Sequence, residues 1–226
     1  RFIISASQPQ FYSGVISGAG VFRKEGSGTL TLSGASTHSG NTEVRDGSLL
    51  VSGSLSDSTV VDVSSGATYT LGSSDTIGGI EGAGSVDLNS NELTVSQSAT
   101  EATFSGIISG STSSSHLTKA GSGTLILAGN NTHQGTTSVN AGVLKVSGDV
   151  NNNSNVSIAS GARFTISASQ PQTYTGVISG SGLFRKEGSG TLTLSGASSY
   201  SGNTEVSAGV LKVTGSLSDS SSVNVS

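Results

Sequence analysis

A phrase that recurs along the chain constrains its fold more than any other feature. RKEGSGTLTLSG occurs at 23–34 and again at 185–196, and a looser copy, KAGSGTLILAG, occurs at 119–129. An alignment of 1–63 with 163–225 needs no gap and has 48 identities in 63 positions. The GSGTL stretches begin at 26, 121 and 188, so the first interval is longer than the second. Such self-similarity predicts a stacked architecture in which each repeat packs on its neighbours.

Short strings of alternating polar and apolar residues fill each repeat. They are bounded by Gly, Ser or Asn, and this period of two is typical of half-buried β-strands. No stretch has apolar residues at helical spacing over two turns, so the sequence predicts an all-β fold. The strings include 29–32, 42–44, 85–88, 92–95 and 144–146.

Two arrangements could bury the apolar sides of these strands. Hairpins would favour Asn-Gly or Asp-Gly turns, but only Asp46-Gly47 fits, and the other copies have Ala-Gly there. A chain that coils in one direction needs small residues at its corners and an aliphatic interior, and the sequence supplies both. The composition therefore favours a parallel β-helix.

The spacing of the strings predicts the size of one coil. Three strings follow within 30–51 and are interpreted as the three sides of a single coil. Each repeat is then about three coils, and the whole chain about ten. At roughly 4.8 Å per coil, the rod would be on the order of 50 Å long. The strings contain Leu30 and Leu32, Thr42 and Val44, and Leu49 and Val51, whose apolar members we expect to point inward.

We predict one continuous β-helix segment over 1–226, without a domain boundary. Its internal repeats are 1–63, 104–146 and 163–225, and the diverged middle copy is preceded by an extra segment at 66–99. There is no initiator Met and no signal peptide at the first residue, so we expect the chain to be an excerpt of a longer protein.

Composition excludes several classes of protein. With 33 glycines and only 11% charged residues the chain could be a disordered linker, but the regular alternation of its aliphatic residues argues against that. The net charge of −4 leaves no basic face for nucleic acid, and no apolar run reaches the ~18 residues of a membrane helix. The absence of Cys excludes disulfides, thiolate metal sites and Cys nucleophiles.

The repeated phrases resemble the autotransporter-associated β-strand repeat, also called the passenger-associated transport repeat. The resemblance rests on K-x-G-S-G-T-L-x-L-x-G, a following [TS]-[HY]-x-G, then T-x-V and G-x-L-x-V. It covers 22–51, 117–146 and 184–213, with Phe22 and Phe184 standing where the pattern has Leu. It implies a right-handed parallel β-helix, secreted through the outer membrane to the surface of a Gram-negative bacterium. It also implies a stalk in a large surface protein such as an adhesin.

Glycine and lysine recur at the start of each phrase. The glycines are predicted to occupy corners that need positive φ or close approach of two coils. A phosphate-binding loop is the alternative, but its glycine motifs and following helix are missing. Lys24, Lys119 and Lys186 precede the glycines and are predicted to be solvated corner residues. The glycines are Gly26, Gly28, Gly121, Gly123, Gly188 and Gly190.

Histidine and tyrosine alternate at one repeat position. His38 and His133 lie four residues before a threonine, and the third copy has Tyr200 there. A general base or metal ligand could not be exchanged for Tyr and keep its chemistry. We therefore expect these side chains to cap or cover a turn. His116 is isolated and suggests no site.

Acidic residues are the candidates for an enzyme that acts on carbohydrate. Such an enzyme would need several carboxylates together on one outer face. No dense cluster is visible, although coiling could bring Asp75, Asp87 and Glu101 close together. The G-G-x-G-x-D repeat of calcium-binding rolls is missing. The other acidic candidates are Asp57, Asp62, Glu81 and Asp219.

Other polar positions suggest surface roles. Outward Thr-x-Thr pairs recur only about once in three coils, so an ice-binding array would be broken. Asn-rich corners are predicted at 130–131 and 151–153, where left-handed backbone is tolerated. Leu50 stands at an outward position that the other copies give to Lys145 and Lys212. The pairs are Thr29 with Thr31 and Thr191 with Thr193.

The sequence as a whole predicts a non-enzymatic structural stalk, with no catalytic, cofactor or metal site. One alternative is a module whose outer face binds host or matrix glycans, and another is a carbohydrate-active β-helix enzyme. Expected partners are neighbouring coils of the same full-length protein, other copies stacked end to end, or glycans. Nucleic acid and direct membrane insertion are not expected.

Overall fold

The computed structural model describes residues 1–98, 100–149, 154–218 and 222–226. Within these ranges the regular elements are β-strands, and no helix is long and apolar enough to cross a membrane. The strands are β1 (Phe2–Ser5), β2 (Gln10–Tyr12), β3 (Phe22–Glu25), β4 (Thr29–Leu32), β5 (Thr42–Val44), β6 (Ser48–Val51), β7 (Val60–Val63), β8 (Thr68–Leu71), β9 (Asp75–Ile77), β10 (Gly79–Gly82), β11 (Ser85–Asp87), β12 (Glu92–Ser96), β13 (Glu101–Phe104), β14 (Ile107–Ser109), β15 (His116–Ala120), β16 (Thr124–Leu127), β17 (Thr137–Val139), β18 (Val143–Val146), β19 (Val156–Ile158), β20 (Arg163–Ser167), β21 (Gln172–Tyr174), β22 (Ile178–Gly180), β23 (Leu183–Glu187), β24 (Thr191–Leu194), β25 (Thr204–Val206), β26 (Val210–Val213) and β27 (Val223–Val225).

The strands form three faces of a coil. The first face is a 12-stranded sheet of β1, β3, β5, β7, β10, β13, β16, β18, β20, β23, β25 and β27. The second face carries a six-stranded sheet, β2, β4, β6, β8, β11 and β14, and further along the chain a three-stranded sheet, β21, β24 and β26. The third face is a six-stranded sheet of β9, β12, β15, β17, β19 and β22. The chain visits the first, second and third faces in that order in each turn.

Every strand pair among the described residues is parallel, which confirms the β-helix and excludes the hairpins. Asp46-Gly47 forms a corner between β5 and β6 instead of a hairpin turn. The 12 strands of the first face make eleven turns, close to the ten expected. One turn takes the chain from Phe2 to Phe22, its partner in the parallel ladder. The right-handed sense implied by the resemblance agrees with the strong preference of parallel β crossovers.

Columns of like residues fill the interior. On the second face, Leu30 lies under Leu49, which lies under Tyr69, and the column continues through Val86 to Ile108. All five side chains are buried. Burying an aliphatic side chain stabilises the fold by roughly 1.5–3 kcal/mol, so each column holds successive turns together. The inward orientation predicted for the aliphatic residues is confirmed.

The three strings within 30–51, which were predicted to form the three sides of one coil, do not form three different sides. In the first repeat β4 and β6 both lie on the second face, and Leu49 of β6 already stacks on Leu30 of β4 one turn earlier. The third side of this turn, 33–41, contains no strand. Sequence periodicity could not show this, because an irregular side leaves no alternating pattern.

The middle repeat is turned around the axis relative to the outer two. The TLTL strand lies on the second face in the first and third repeats (β4 and β24), whereas its counterpart β16 lies on the first face. The interval from Gly26 to Gly121 is therefore four and two-thirds turns, and that from Gly121 to Gly188 is three and one-third. Together the two intervals make eight whole turns. The equivalent residues Phe2 and Phe164 of the outer repeats therefore lie on the same face. The repeats 1–63 and 163–225 each span the expected three turns, and the interval from Gly121 to Gly188 adds a third of a turn to that number.

Candidate functional site

A buried lysine fixes the corner at the start of each repeated phrase. Lys24 has no exposed surface, and its ammonium donates to the carbonyl of Gly26 at 2.5 Å and to that of Asp46, one turn away, at 2.8 Å. Carbonyl groups at a corner have left the strand ladder and need another donor. The lysine supplies that donor to two successive turns at once. Its aliphatic stem lies in the interior.

We call this arrangement, a buried lysine whose ammonium donates to corner carbonyls of two successive turns, the lysine cage. It recurs in the other two repeats. Lys119 donates to Gly121 at 2.8 Å and to Ala141 at 3.2 Å, and Lys186 donates to Gly188 at 2.6 Å. All three lysines are fully buried, so the predicted solvated corner lysine is wrong. The recurrence of Lys two residues before a glycine in all three repeats was the sequence signal that could have indicated this structural role. Further bonds join Lys119 to Ala120, and Lys186 to Glu187 and Ala208.

Burial changes the acid–base behaviour of these ammonium groups. It lowers the pKa of Lys119 to about 8, because a charged group loses hydration inside the coil. Burial also lowers the pKa of Lys24 and Lys186, while the nearby Asp46 and Glu187, respectively, oppose the shift. The ammonium groups of these lysines donate to backbone carbonyls of successive turns, so the lysines hold the turns together.

Glycine is required at this corner by both conformation and space. Gly26 has φ of +79°, and a Cβ there would lie 2.7 Å from the carbonyl oxygen of Ala6. Gly121 has φ of +74°, with Gln97 O at 2.5 Å from its hypothetical Cβ. The prediction of corners that need positive φ or close approach of two turns is confirmed, and these two glycines meet both conditions. Among the described residues a strand follows these glycines, whereas a phosphate site would need a helix there.

The His/Tyr position lies inside the irregular side of each repeat. His38 Nε2 lies 2.8 Å from Thr42 Oγ1, His133 Nε2 lies 2.8 Å from Thr137 Oγ1, and Tyr200 Oη lies 2.5 Å from Thr204 Oγ1. All three rings are buried. The ring covers the turn and binds the hydroxyl four residues later, as expected for a capping side chain. The exchange of His for Tyr preserves this contact.

The two histidines are neutral inside the coil. Burial lowers the pKa of His133 to about 4, and it also lowers the pKa of His38. In both, Nδ1 is buried without a hydrogen-bond partner among the described residues. A protonated ring would leave a charged donor unsatisfied there, so acid disfavours this packing. His116 instead accepts the Thr136 N–H at Nδ1, at 3.0 Å.

Asp75 is the buried member of the acidic candidates. It lies on the third face, accepts the Leu55 N–H at 3.1 Å and is 3.2 Å from the Tyr69 hydroxyl, which donates to it. Burial raises the pKa of Asp75 to about 6, although these hydrogen bonds oppose the rise. Burial and the Asp75 charge raise the pKa of Tyr69. The carboxyl group closes a corner of the extra segment.

Of the other acidic candidates, Asp57 lines one surface depression together with Asp75, whereas Asp87 and Glu101 lie apart from it. Asp87 belongs to the second face and Glu101 to the first, so coiling does not bring these three carboxylates onto one face. Asp62 and Glu81 are neighbours on the first face. Asp57 is exposed, and Asp219 lies outside the described residues. In the part of the chain that the structure describes, no three His, Asp or Glu side chains group as metal ligands.

Outward positions follow the prediction only in part. The Thr29 and Thr31 side chains point outward, but Leu50 follows Thr31 in the next turn and interrupts the array. Asn130 and Asn131 lie outside the strands, but neither has left-handed backbone, because the only described non-glycine residue with positive φ is Asn89. Asn131 is instead buried, and its Oδ1 accepts the Ile108 N–H. Residues 151–153 lie outside the described ranges.

Sequence reasoning missed a hydroxyl column on the third face: Thr76, Thr94, Thr118, Ser138, Ser157 and Ser179.

Ion pairs link turns across the outer side of the first face. Glu43 pairs with Arg23 at 2.5 Å and with Arg45 at 3.1 Å. Further along, Glu187 pairs with Lys145 at 2.8 Å and with Arg185 at 3.1 Å. Sequence reasoning could not find the pairs between turns, because their partners are distant in the chain and meet only once the turn length is known.

Comparison with known proteins places the repeats in a family. Residues 22–51, 117–146 and 184–213 match the family described as passenger-associated-transport-repeat. The chain is also 32% identical over 236 aligned residues to a protein named adhesin BmaC autotransporter, from Brucella suis biovar 1 (strain 1330). That alignment covers 88% of this chain and 7% of the relative. No solved structure matches the chain significantly.

The matched ranges begin and end where the sequence pattern placed them. Each range contains one lysine cage, one contact between a His or Tyr ring and a threonine, and two glycines with positive φ. These features are present although the middle range occupies other faces than the outer two. The recognition made from the sequence is therefore confirmed: the chain is a β-solenoid segment built on three passenger-associated transport repeats.

Proposed function

We propose that the chain is a passenger segment of a secreted surface adhesin of a Gram-negative bacterium, and that it acts there as a stiff spacer. The family match and the similarity to an autotransporter adhesin support the passenger role. The observation that carries the spacer role is the 12-stranded parallel sheet, which runs without interruption along the rod. Eleven turns at about 4.8 Å give a length on the order of 50 Å.

Stiffness follows from how neighbouring turns are joined. Each turn hydrogen-bonds to the turns on both sides through parallel ladders, and the buried lysine ties corner carbonyls of successive turns. Bending the rod would have to break ladder bonds on one side and compress the packed aliphatic columns on the other. A segment of this kind would hold other parts of a surface protein at a fixed distance.

The spacer role is tested by shortening the rod in the full-length protein. Deleting 1–162 removes eight whole turns, and Arg163 then occupies the context of Arg1 with the same orientation around the axis. We expect normal display on the cell surface and a surface layer thinner by on the order of 40 Å in atomic force microscopy. A Gly/Ser linker of equal residue number is the control, because it lacks a defined length. Loss of ligand binding by the purified deletion protein would contradict a pure spacer.

We also propose that neighbouring coils of the full-length protein cover the two ends of this segment. Exposed apolar side chains gather there, among them Phe2 and Phe11 at one end and Val223 and Val225 at the other. Unpaired ladder edges and apolar side chains together invite stacking of a further strand layer. The isolated segment is therefore expected to associate end to end as its concentration rises. A sharp monomer in sedimentation at high concentration would count against this.

A non-enzymatic role is part of the proposal. It is supported by the position of Asp75, Asp87 and Glu101 on three different faces and by the similarity to an adhesin, because glycoside cleavage requires two carboxyl groups on opposite sides of one bond. The depression that Asp57, Asp75 and Glu92 line together is the place where an enzymatic role has to be tested. The test is an assay for new reducing ends after incubation with polysaccharides. Release of products that is lost in an Asp57→Asn, Asp75→Asn or Glu92→Gln variant would overturn the proposal.

A further inference from the structure

An open groove follows the corner where the third face meets the first face. It has a volume of about 510 Å³ and crosses four successive turns around the start of the third repeat. Glycines such as Gly182 and Gly202 form its floor, because the neighbouring turn approaches too closely there for a side chain. The rim carries side chains from the starts of the first-face strands: Val143, Arg163, Leu183 and Asn203.

Arg163 provides a free positive charge in this groove. It lies between Val143 and Leu183 of the adjacent turns and is half-buried. Its guanidinium makes no hydrogen bond or ion pair with any described residue, whereas Arg23 and Arg185 each pair with glutamates. An unpaired guanidinium presents five donors in a planar fork that suits carboxylate or sulfate groups.

The charge in the groove distinguishes it from other surface depressions. None of the residues that line it is acidic. A depression of about 440 Å³ on the described surface contains Asp87, and another of about 340 Å³ contains Asp57, Asp75 and Glu92. A protein with net charge −4 thus places a cation in this groove and carboxylates in those two depressions. Charge complementarity therefore favours an anionic occupant for this groove.

The backbone in the groove is already used, which argues against an added peptide strand. The N–H groups of Arg163, Leu183 and Phe184 donate to Gly142, Ala162 and Asn203 at 2.9–3.0 Å. Strand addition needs a row of free backbone groups, and these are occupied. Recognition must then come from side chains on the rim. Asn203 accepts the Ser222 hydroxyl at its Oδ1, at 2.8 Å, which leaves its amide N–H groups to donate outward.

We propose that this groove binds an acidic polysaccharide, that is, a chain of sugar rings bearing carboxylate or sulfate groups. Arg163 binds the anionic group, and the Asn203 amide donates to a sugar hydroxyl. The half-exposed Val143 and Leu183 contact the C–H sides of the rings. A site that combines apolar contacts with a few placed polar groups is the usual pattern for ligand binding. The proposal goes beyond the spacer role and does not depend on it.

The repeats predict where such sites recur. Arg1, Val21 and Asn41 occupy the matching positions of the first repeat, eight turns away on the same corner. The middle repeat has Glu92, opposite His116 in the strand register, where the outer repeats have Arg. The outer repeats should therefore bind acidic glycans, and the middle repeat should not. At about 4.8 Å per turn the two sites lie on the order of 40 Å apart, so a long chain could engage both.

The test measures binding of defined oligosaccharides to the 226-residue chain. The probes are fluorescent oligogalacturonate (carboxylate) and oligomeric dextran sulfate (sulfate), with neutral dextran as the uncharged probe, in fluorescence polarisation. We expect one or both acidic probes to bind, and neutral dextran not to bind. Because the first repeat carries a matching site, the variants are compared in a chain that already carries Arg1→Ala. In that chain Arg163→Ala should weaken binding at least about tenfold, and Arg163→Glu, which mimics the middle repeat, should weaken it further. Lys212→Ala, which removes an exposed charge from the second face, should change affinity less than about twofold.

Several outcomes would overturn the proposal. Absence of binding by both acidic probes would do so, as would equal effects of the Arg163 and Lys212 variants. Double-stranded DNA or an acidic peptide that binds as tightly, with the same dependence on Arg163, would show a general anion site and exclude the polysaccharide assignment. Arg163→Lys serves as the folding-neutral variant, and it should keep more affinity than Arg163→Ala. The preferred acidic probe identifies the anionic group.

Discussion

The middle repeat and the outer repeats build the same contacts on different faces of the coil. In the outer repeats the lysine strands β3 and β23 lie on the first face, whereas their counterpart β15 lies on the third. The lysine cage and the ring–threonine contact are nevertheless retained in all three. What the phrase encodes is therefore the contact between successive turns. The face on which it falls is set by the number of residues between copies.

The size of the pKa shifts of the buried lysines and histidines differs between these regions. Burial lowers the pKa of both His133 and Lys119 in the middle repeat so far that the groups titrate near 4 and near 8. Burial shifts the pKa of His38 and Lys24 in the same direction. The middle repeat should thus be the part of the rod whose stability depends most strongly on pH and on interior polar contacts.

The largest expected loss of stability comes from substituting a corner glycine, and two such substitutions separate the effect of positive φ from the effect of close approach between turns. Gly121→Ala should lower the free energy of unfolding by about 4 kcal/mol, since it adds left-handed strain of about 1–2 kcal/mol and a collision with Gln97 O. Gly161→Ala, where φ is +79° but no atom lies within 4 Å of the added Cβ, should lower it by about 1 kcal/mol. Urea unfolding measures both. Equal losses would mean that the turns separate at little cost.

Acid should distinguish His133 from Tyr200. The folded pKa of His133 is about 4 and the free value is 6.5, so the unfolded chain binds the proton first. As pH falls from 6.5 to 4, the free energy of unfolding should decrease by about 3 kcal/mol from this group alone, and the loss should level off below 4.

His133→Tyr should abolish that decrease, because the third repeat shows that Tyr keeps the threonine contact. Urea unfolding at several pH values measures the effect, with His38→Tyr as the matched variant from an outer repeat. An unchanged acid dependence in His133→Tyr would refute the assignment of this loss to the middle repeat.

Lys119→Met should cost about 2 kcal/mol of stability at pH 7, because three buried carbonyls lose a donor while the stem is retained. Lys119 has a folded pKa of about 8 against 10.5 in the free state, so the unfolded chain holds more protons between these values. Wild-type stability should therefore rise with pH across that window, and Lys119→Met should remove the rise. If Lys119→Met is neutral at pH 7, the cage is not needed for stability.

The smallest effect is expected for the ion pairs on the outer side of the first face. Glu187→Gln should lower the free energy of unfolding by about 0.5 kcal/mol, since its contacts with Lys145 and Arg185 are partly exposed. Added salt should reduce the difference further. Glu43→Gln in the first repeat is the comparison, and its more buried carboxylate should make that loss somewhat larger. A loss for Glu187→Gln as large as the one expected for Lys119→Met would show that these pairs are structural.

Sequence pattern predicted most of the fold and little of the interior polar chemistry. Leu30, Leu49 and Val51 could be placed inward because alternation reports which side of a strand is apolar. Lys24 could not, because a lysine is ordinarily exposed and its carbonyl partners become visible only when the corner is built. The Arg163 groove was likewise hidden, since its rim comes from residues that lie one turn apart in the chain.

The third-of-a-turn offset of the middle repeat has a consequence for how such rods change. Inserting or deleting one whole turn of chain would lengthen or shorten the rod while every later side chain keeps its direction. Inserting or deleting the residues of only one side of the coil would instead rotate all later turns by a third of a revolution about the axis, and the length of the rod would hardly change. Indel size could thus tune extension and aim separately.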